Sequence, residues 1–197
     1  MIVVGITGSI GCGKTTLAKI CNNLGYCVFD ADKQVKSIYL QKEFLKNLRI
    51  NFPDVFIGKK LDKILLRNIV FGDRGKLSVL EGLIHPILKR RLKKYIRNNV
   101  KKTDILIIDA ALLYETNWNQ YCDFIILADV EYEIQKKRVM KRDNISSEEF
   151  EKINSKQMSA EIKKKLADII INTNNKVNVL KKDMVNILRN LETTYND

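Results

Sequence analysis

Apolar positions along the chain fall into five short continuous runs separated by stretches of helical period. The first run, Ile2–Thr7, is apolar and β-branched almost throughout, as in a strand covered on both faces. A glycine-rich turn over 8–13 follows. Leu17, Ile20, Cys21 and Leu24 then recur at helical spacing and predict a helix over 15–24, ended by Gly25. Residues 26–29 predict a second strand. Strand, loop, helix and strand in this order make a βαβ unit, which requires a parallel sheet. Helices are predicted over 31–40 and 41–50, a loop over 51–60 around Pro53 and Gly58, and a short amphipathic helix over 61–71. After a break at 72–75, a long helix covers 76–100, interrupted near His85-Pro86. Three further strands are expected at 104–109, 123–128 and 169–171. Helices at 131–142, 146–157 and Ala160–Leu166 lie between them, and one at 177–191 closes the chain.

Strands alternating with helices indicate an α/β, doubly wound parallel sheet. The helical block from 31 to about 102 is too long for a minimal crossover. It reads as an inserted helical subdomain beside the sheet.

The turn after the first strand carries the first chemistry. Gly8-Ser9-Ile10-Gly11-Cys12-Gly13-Lys14-Thr15 matches G-x-x-x-x-G-K-[ST], follows a strand and precedes a helix. Glycines let backbone N–H groups turn inward around phosphate oxygens, and the helix N-terminus adds partial positive charge. Lys14 is placed to reach the β- and γ-phosphates, and the Thr15 hydroxyl to ligate Mg²⁺. The motif predicts a nucleoside triphosphate site. A GTPase would also need N-K-x-D; the nearest string, Asn175-Lys176-Val177-Asn178, lacks the acid.

Acids at the expected strand ends suit phosphoryl transfer. Asp30-Ala31-Asp32 offers a carboxylate to orient an acceptor hydroxyl and take its proton, although either Asp also suits a helix N-cap. Asp109 ends the third strand, where an acid holds Mg²⁺ directly or through water. Gln135, Arg138 and Arg142 share one helical face, and Arg provides planar donors for phosphate.

Composition changes the picture in one respect. With 35 Lys and Arg against 23 Asp and Glu, the net charge is +12, which suits a polyanionic partner. The 26 Lys and 18 Asn are also what AT-rich coding produces, so charge alone assigns no partner. The run from Lys89 to Lys102 holds eight basic residues and no acid, yet keeps an apolar helical stripe and reads as a solvated helix face. Cys12, Cys21, Cys27 and Cys122 form no CxxC pair, so neither a zinc site nor a disulfide framework is expected. No apolar run approaches the ~18–20 residues of a membrane span, and the N-terminus lacks a signal peptide's basic segment and cleavage site. A cytoplasmic protein is expected.

Seven motifs in order resemble the dephospho-coenzyme A kinase family of P-loop kinases, over nearly the whole chain. They are Gly5-Ile6-Thr7-Gly8 through Thr15; Asp30-Ala31-Asp32; Leu61-Asp62-Lys63 through Val70-Phe71; Leu80-Glu81 to His85-Pro86; Asp109-Ala110-Ala111-Leu112-Leu113-Tyr114-Glu115; Gln135 to Arg142; and Gln157, Lys163, Ala167 and Asp168. The chain departs from the family pattern at Lys63 (usually Arg), Ala111 (Pro), Lys152 (Arg) and Thr173 (Asn).

The resemblance implies transfer of the ATP γ-phosphoryl group, with Mg²⁺, to the ribose 3′-hydroxyl of dephospho-CoA. It implies a three-layer P-loop kinase with a five-stranded parallel sheet, an inserted helical substrate domain and a small helical lid. The expected boundaries are a nucleotide-binding core at 1–30, 103–143 and 166–197, a CoA-side helical domain at 31–102, and a lid at 144–165. ATP contacts are expected from Ser9, Ile10, Gly11, Cys12, Gly13, Lys14, Thr15 and Thr16. Catalytic roles fall to Lys14, Asp32, Arg138 and Arg142, substrate contacts to Thr7, Asp32, His85, Leu113 and Glu115, and metal contacts to Thr15 and Asp109. The expected partners are the two small molecules, with no nucleic acid or membrane, for a monomer or weak oligomer. Kinases acting on other nucleosides or nucleotides, and a nucleic-acid-binding ATPase, are the alternatives.

Overall fold

The computed structural model describes residues 1–196, with side chains through Thr194. The chain divides into two compact units. One comprises Met1–Asp30 and Ile96–Asp197, the other Ala31–Tyr95.

The first unit is built on a five-stranded, all-parallel sheet. Its strands are β1 (Ile2–Thr7), β2 (Cys27–Asp30), β5 (Ile105–Asp109), β6 (Phe124–Asp129) and β7 (Ile169–Asn172), in the order β2-β5-β1-β6-β7. All five expected strands are present. β1 lies at the centre, with Ile6 in register with Asp109 on one side and with Ile126 on the other. The chain fills one side of β1 and then the other, so the carboxyl end of β1 lies near the crevice where such sheets bind ligands.

Alternation along the strands decides which helix each face meets. Ile2, Val4, Ile6, Ile105, Ile107 and Ile126 form one core cluster with Leu17, Ile20 and Cys21 of α1 (Lys14–Asn23) and Leu180, Met184 and Leu188 of α9 (Val177–Asn196). Each such side chain contributes roughly 1.5–3 kcal/mol when removed from water. On the other face, Gly5 leaves room for Leu113 and Cys122. A Cβ there would lie 2.8 Å from the Cys122 Sγ and 3.2 Å from Leu113. The remaining helices of this unit are α6 (Tyr132–Asp143), α7 (Ser147–Asn154) and α8 (Ala160–Leu166). Asn144 ends α6 in the left-handed conformation, and Ser146 with Glu149 forms a capping box that starts α7. The helix expected over 146–157 is thus shorter, ending at Asn154.

The second unit holds α2 (Ala31–Ile38), α3 (Lys42–Asn51), β3 (Phe56–Ile57), β4 (Lys60–Leu61), α4 (Lys63–Gly72) and most of α5 (Arg74–Asn99). It differs from the sequence expectations in three places. The loop expected over 51–60 contains a 3-10 turn, Pro53–Val55, and the antiparallel β3–β4 hairpin, whose two-residue strands are too short to show a period. The break at 72–75 contracts to Asp73, whose Oδ1 accepts the Gly75 and Lys76 N–H groups at 2.8 and 3.1 Å. The break at His85-Pro86 is absent: α5 runs unbroken through Pro86. Leu80, Ile84, Leu88 and Leu92 are all buried along one side of the helix. Pro86 and Gly82, whose carbonyl loses its helical partner, are both exposed, so that carbonyl is open to solvent.

Of the eight basic residues from Lys89 to Lys102, Arg91 turns inward to donate to the Gln34 carbonyl and side chain at 3.1 and 2.8 Å. Lys89, Arg90, Lys93 and Lys94 are exposed. No helix among the described residues is long and apolar enough to cross a membrane.

Candidate active site

The turn between β1 and α1 is held by packing that only glycine permits. Gly11 and Gly13 have φ of +80° and +81°. A Cβ on Gly11 would lie 2.4 Å from Val139 Cγ2, and one on Gly13 2.9 Å from Thr173 Cβ. The turn is therefore pressed against α6 on one side and the end of β7 on the other.

Side chains distant in sequence brace the same turn. The Gln135 Nε2 donates to the Ile10 carbonyl at 2.7 Å, and the Ile10 N–H donates to Gln157 Oε1 at 2.8 Å. The buried Thr173 hydroxyl donates to the Cys12 carbonyl at 2.7 Å. Arg138 reaches Thr173 with two guanidinium nitrogens, at 3.4 Å to the hydroxyl and 3.2 Å to the carbonyl. The Cys12 N–H donates back to the Ser9 carbonyl at 3.1 Å and the Thr16 N–H to the Gly13 carbonyl at 2.8 Å. The amides of Gly11 and Gly13 have no protein acceptor among the described residues.

Lys14 opens α1 and is 6% exposed, its ammonium ion-paired with Asp109 at the end of β5. Asp109 is in register with Asp30 across the β2–β5 pair, so two carboxylates end adjacent strands side by side. Thr15, the next residue of α1, is exposed. Asp109, Asp30 and the Thr15 hydroxyl are hard oxygen donors of the kind Mg²⁺ takes, and Mg²⁺ bound to a nucleotide needs only one or two of them. The donor set fits that ion.

The other expected site residues are distributed as follows. Thr7 is fully buried and its hydroxyl donates to the Ala111 carbonyl at 3.3 Å. Leu113 is fully buried over Gly5. Glu115 accepts the Met158 N–H at 2.8 Å and pairs with Lys163 at 3.0 Å. His85 is half-buried within α5, and Asp32 lies exposed in the first turn of α2. Arg142 is exposed and forms a two-pronged pair with the adjacent Asp143 at 2.8 and 2.7 Å. Its guanidinium thus lies apart from that of Arg138 on Thr173. Beside Ser9, a cavity of about 340 Å³ is bordered by Asp129, Gln135, Asn154, Met158 and Lys164.

Sequence reasoning gave Thr173 no role beyond a departure from pattern, and gave none to Gln157 or Lys163 individually. The only signal for the last two was their place in the closing motif.

Burial, reinforced by the nearby Asp129 carboxylate, pushes the Cys12 thiol up to about 11. Below that pH the thiol keeps its proton, and the protonated form is the unreactive one. Iodoacetamide at pH 8 is therefore expected to leave Cys12 unmodified in the folded protein. Peptide mass spectrometry checks this, and rapid alkylation at Cys12 would contradict the buried geometry.

The comparisons with known proteins agree over nearly the whole chain. A family profile described as Dephospho-CoA kinase matches residues 2–178. The dephospho-CoA kinase of Bartonella quintana is 36% identical over 194 residues, covering 97% of this chain and 98% of its own length. That of Fusobacterium nucleatum is 35% identical over 185 residues, covering 92% and 94%. Among solved structures, TT1252 from Thermus thermophilus superposes with a TM-score of 0.85 at 30% identity, over 96% of this chain and 97% of its own. Dephospho-CoA kinase from Campylobacter jejuni gives 0.72 at 26% identity over 98% of each chain. Shikimate kinase from Acinetobacter baumannii, at 0.57 and 12% identity, shares the fold alone. A glycine-rich turn braced from α6 and β7, its lysine on a strand-end aspartate, thus stands within a sequence that matches one family over most of its length: this chain belongs to the dephospho-CoA kinases.

Proposed function

We propose that this enzyme transfers the γ-phosphoryl group of ATP to the ribose 3′-hydroxyl of dephospho-CoA, giving coenzyme A and ADP. The observation that carries this reading is the braced turn at 8–13 leading into α1, with Lys14 placed on Asp109. Backbone amides, the start of a helix and a buried ammonium converge there, which is what a triphosphate requires.

The phosphates lie along residues 9–16, with the Gly11 and Gly13 amides toward phosphate oxygens and Lys14 toward the β- and γ-phosphates. Thr15 and Asp109 would hold Mg²⁺, with Asp30 beside Asp109. The ion supplies neutralisation of phosphate charge when bound. Asp32 orients the acceptor hydroxyl and accepts its proton as the P–O bond forms. Residues 31–102 form the CoA side, and 144–165, which contain α7 and all but the last residue of α8, act as a lid. Thr7, His85, Leu113 and Glu115 shape the acceptor side; for Thr7, Leu113 and Glu115 the packing above supports a role in setting the loop that lines it.

The two arginines then have separate tasks. Arg138 acts partly through Thr173 and the turn carbonyl beyond it, whereas Arg142 reaches the nucleotide only by leaving Asp143. Arg138→Lys and Arg142→Lys are both expected to lower kcat, because planar two-donor geometry is lost while charge is kept. Arg138→Lys is expected also to weaken ATP binding. Steady-state kinetics with ATP titration checks both, and wild-type behaviour in both variants would leave Arg138 a structural contact of Thr173 and Arg142 a surface cation, neither with a part in transfer.

A coupled assay of ADP release with dephospho-CoA as acceptor tests the function. Phosphorus NMR of the product tests the position, with a 3′-phosphomonoester as the expected result. Turnover with nucleosides and none with dephospho-CoA would overturn the reading.

A further inference from the structure

We propose that Lys163 is a positioning residue for phosphoryl transfer, holding the loop after β5 in place through the Ala111 carbonyl. The proposal rests on the reaction assigned above.

Lys163 is fully buried, although the Lys164 and Lys165 beside it on α8 reach solvent. Lysine is almost never placed so deeply without a partner, because desolvating an ammonium is costly. Here the ammonium has two: the Glu115 carboxylate at 3.0 Å and the Ala111 carbonyl at 2.9 Å. The same carbonyl accepts the Thr7 hydroxyl at 3.3 Å, from the residue immediately before Gly8. The same carboxylate oxygen, Glu115 Oε1, accepts the Met158 N–H at 2.8 Å, and the preceding Gln157 accepts the Ile10 N–H at 2.8 Å.

These contacts close a circuit. It runs from the glycine-rich turn through Gln157 and Met158 to Glu115, across Lys163 to Ala111, and through Thr7 back to the turn. Ala111 lies two residues after Asp109, the partner of Lys14. Ala111 has no ring to stiffen the loop, and the two hydrogen bonds on its carbonyl carry that task. If neutralising Glu115 were all that mattered, an apolar residue opposite a neutral one would serve the fold as well. An apolar side chain has no donor for the Ala111 carbonyl.

The experiment compares Lys163→Met with Lys163→Met/Glu115→Gln. The single variant leaves the half-buried Glu115 without its cation and its own site without a donor, and a Tm lower by roughly 10 °C is expected. The double variant removes both charges, and its Tm is expected back within a few degrees of wild type. Yet kcat at saturating ATP and dephospho-CoA is expected about 100-fold low in both, the scale of an ångström-sized misplacement, with KM for ATP within about 3-fold. Recovery of kcat together with Tm in the double variant overturns the proposal, because Lys163 would then only neutralise Glu115. Thr7→Val provides the second arm, removing the other donor to the same carbonyl without changing side-chain size. It is expected to lower kcat about 10-fold at near-native Tm, and a wild-type kcat there also overturns the proposal. Wild-type enzyme in the same assay separates the two levels: no turnover with dephospho-CoA sinks the acceptor assignment, whereas turnover by a fully recovered double variant sinks only the role of Lys163.

Discussion

Asp32→Asn is expected to lower kcat by about 100- to 10,000-fold while ATP affinity stays near that of wild type. A carboxylate that orients the acceptor hydroxyl and takes its proton acts in the transition state, and general-base assistance is typically of this size. Asparagine keeps the shape and much of the hydrogen bonding but not the basicity, so the loss falls on kcat rather than on nucleotide binding. Asp32 is exposed in the first turn of α2, two residues beyond the end of β2. Asp30→Asn is the control. Asp30 stands in register with Asp109 at the strand ends, so its loss is expected to disturb the metal and phosphate side. Steady-state kinetics and ATP titration on both variants decide the matter: a larger kcat loss for Asp30→Asn than for Asp32→Asn would move the base to Asp30.

Lys14→Ala is expected to reduce activity by at least ~100-fold and to weaken ATP binding as well. Its ammonium contacts phosphate oxygens in both ground and transition states, and one such electrostatic contact is worth about two to three orders of magnitude in rate. Lys14 is 6% exposed and paired with Asp109, so the substitution also removes a neighbour of a buried carboxylate. Circular dichroism must therefore accompany the kinetics. Wild-type turnover in a folded Lys14→Ala protein would show that the turn is not where the triphosphate is activated.

The sheet was readable because a parallel sheet covered on both faces writes itself as continuous apolar runs. Ile2–Thr7 matches at both ends, and the other four strands match to within about a residue. The glycine-rich turn was readable because its glycines and lysine are adjacent in sequence. Its braces were not, since the Ile10–Gln157 and Cys12–Thr173 contacts join residues 147 and 161 positions apart. No periodicity encodes such a pairing. Pro86 misled for a different reason: a proline breaks a helix by default, and only the burial of Leu80, Ile84, Leu88 and Leu92 shows why this helix continues. The separation of Arg138 from Arg142 was equally hidden, because a shared helical face says nothing about which guanidinium finds Thr173 and which finds Asp143.

The strand order also sets a timetable for synthesis on the ribosome. β1 is made well before both of its neighbours: it ends at residue 7, whereas β5 begins at residue 105 and β6 at residue 124. At about 5–20 residues per second, this apolar, β-prone segment waits several seconds or more for its first partner. Residues Ala31–Tyr95, by contrast, are contiguous and can close on themselves in the meantime. For a nascent chain, the early exposure of β1 is the stage most open to association with other chains and to capture by chaperones.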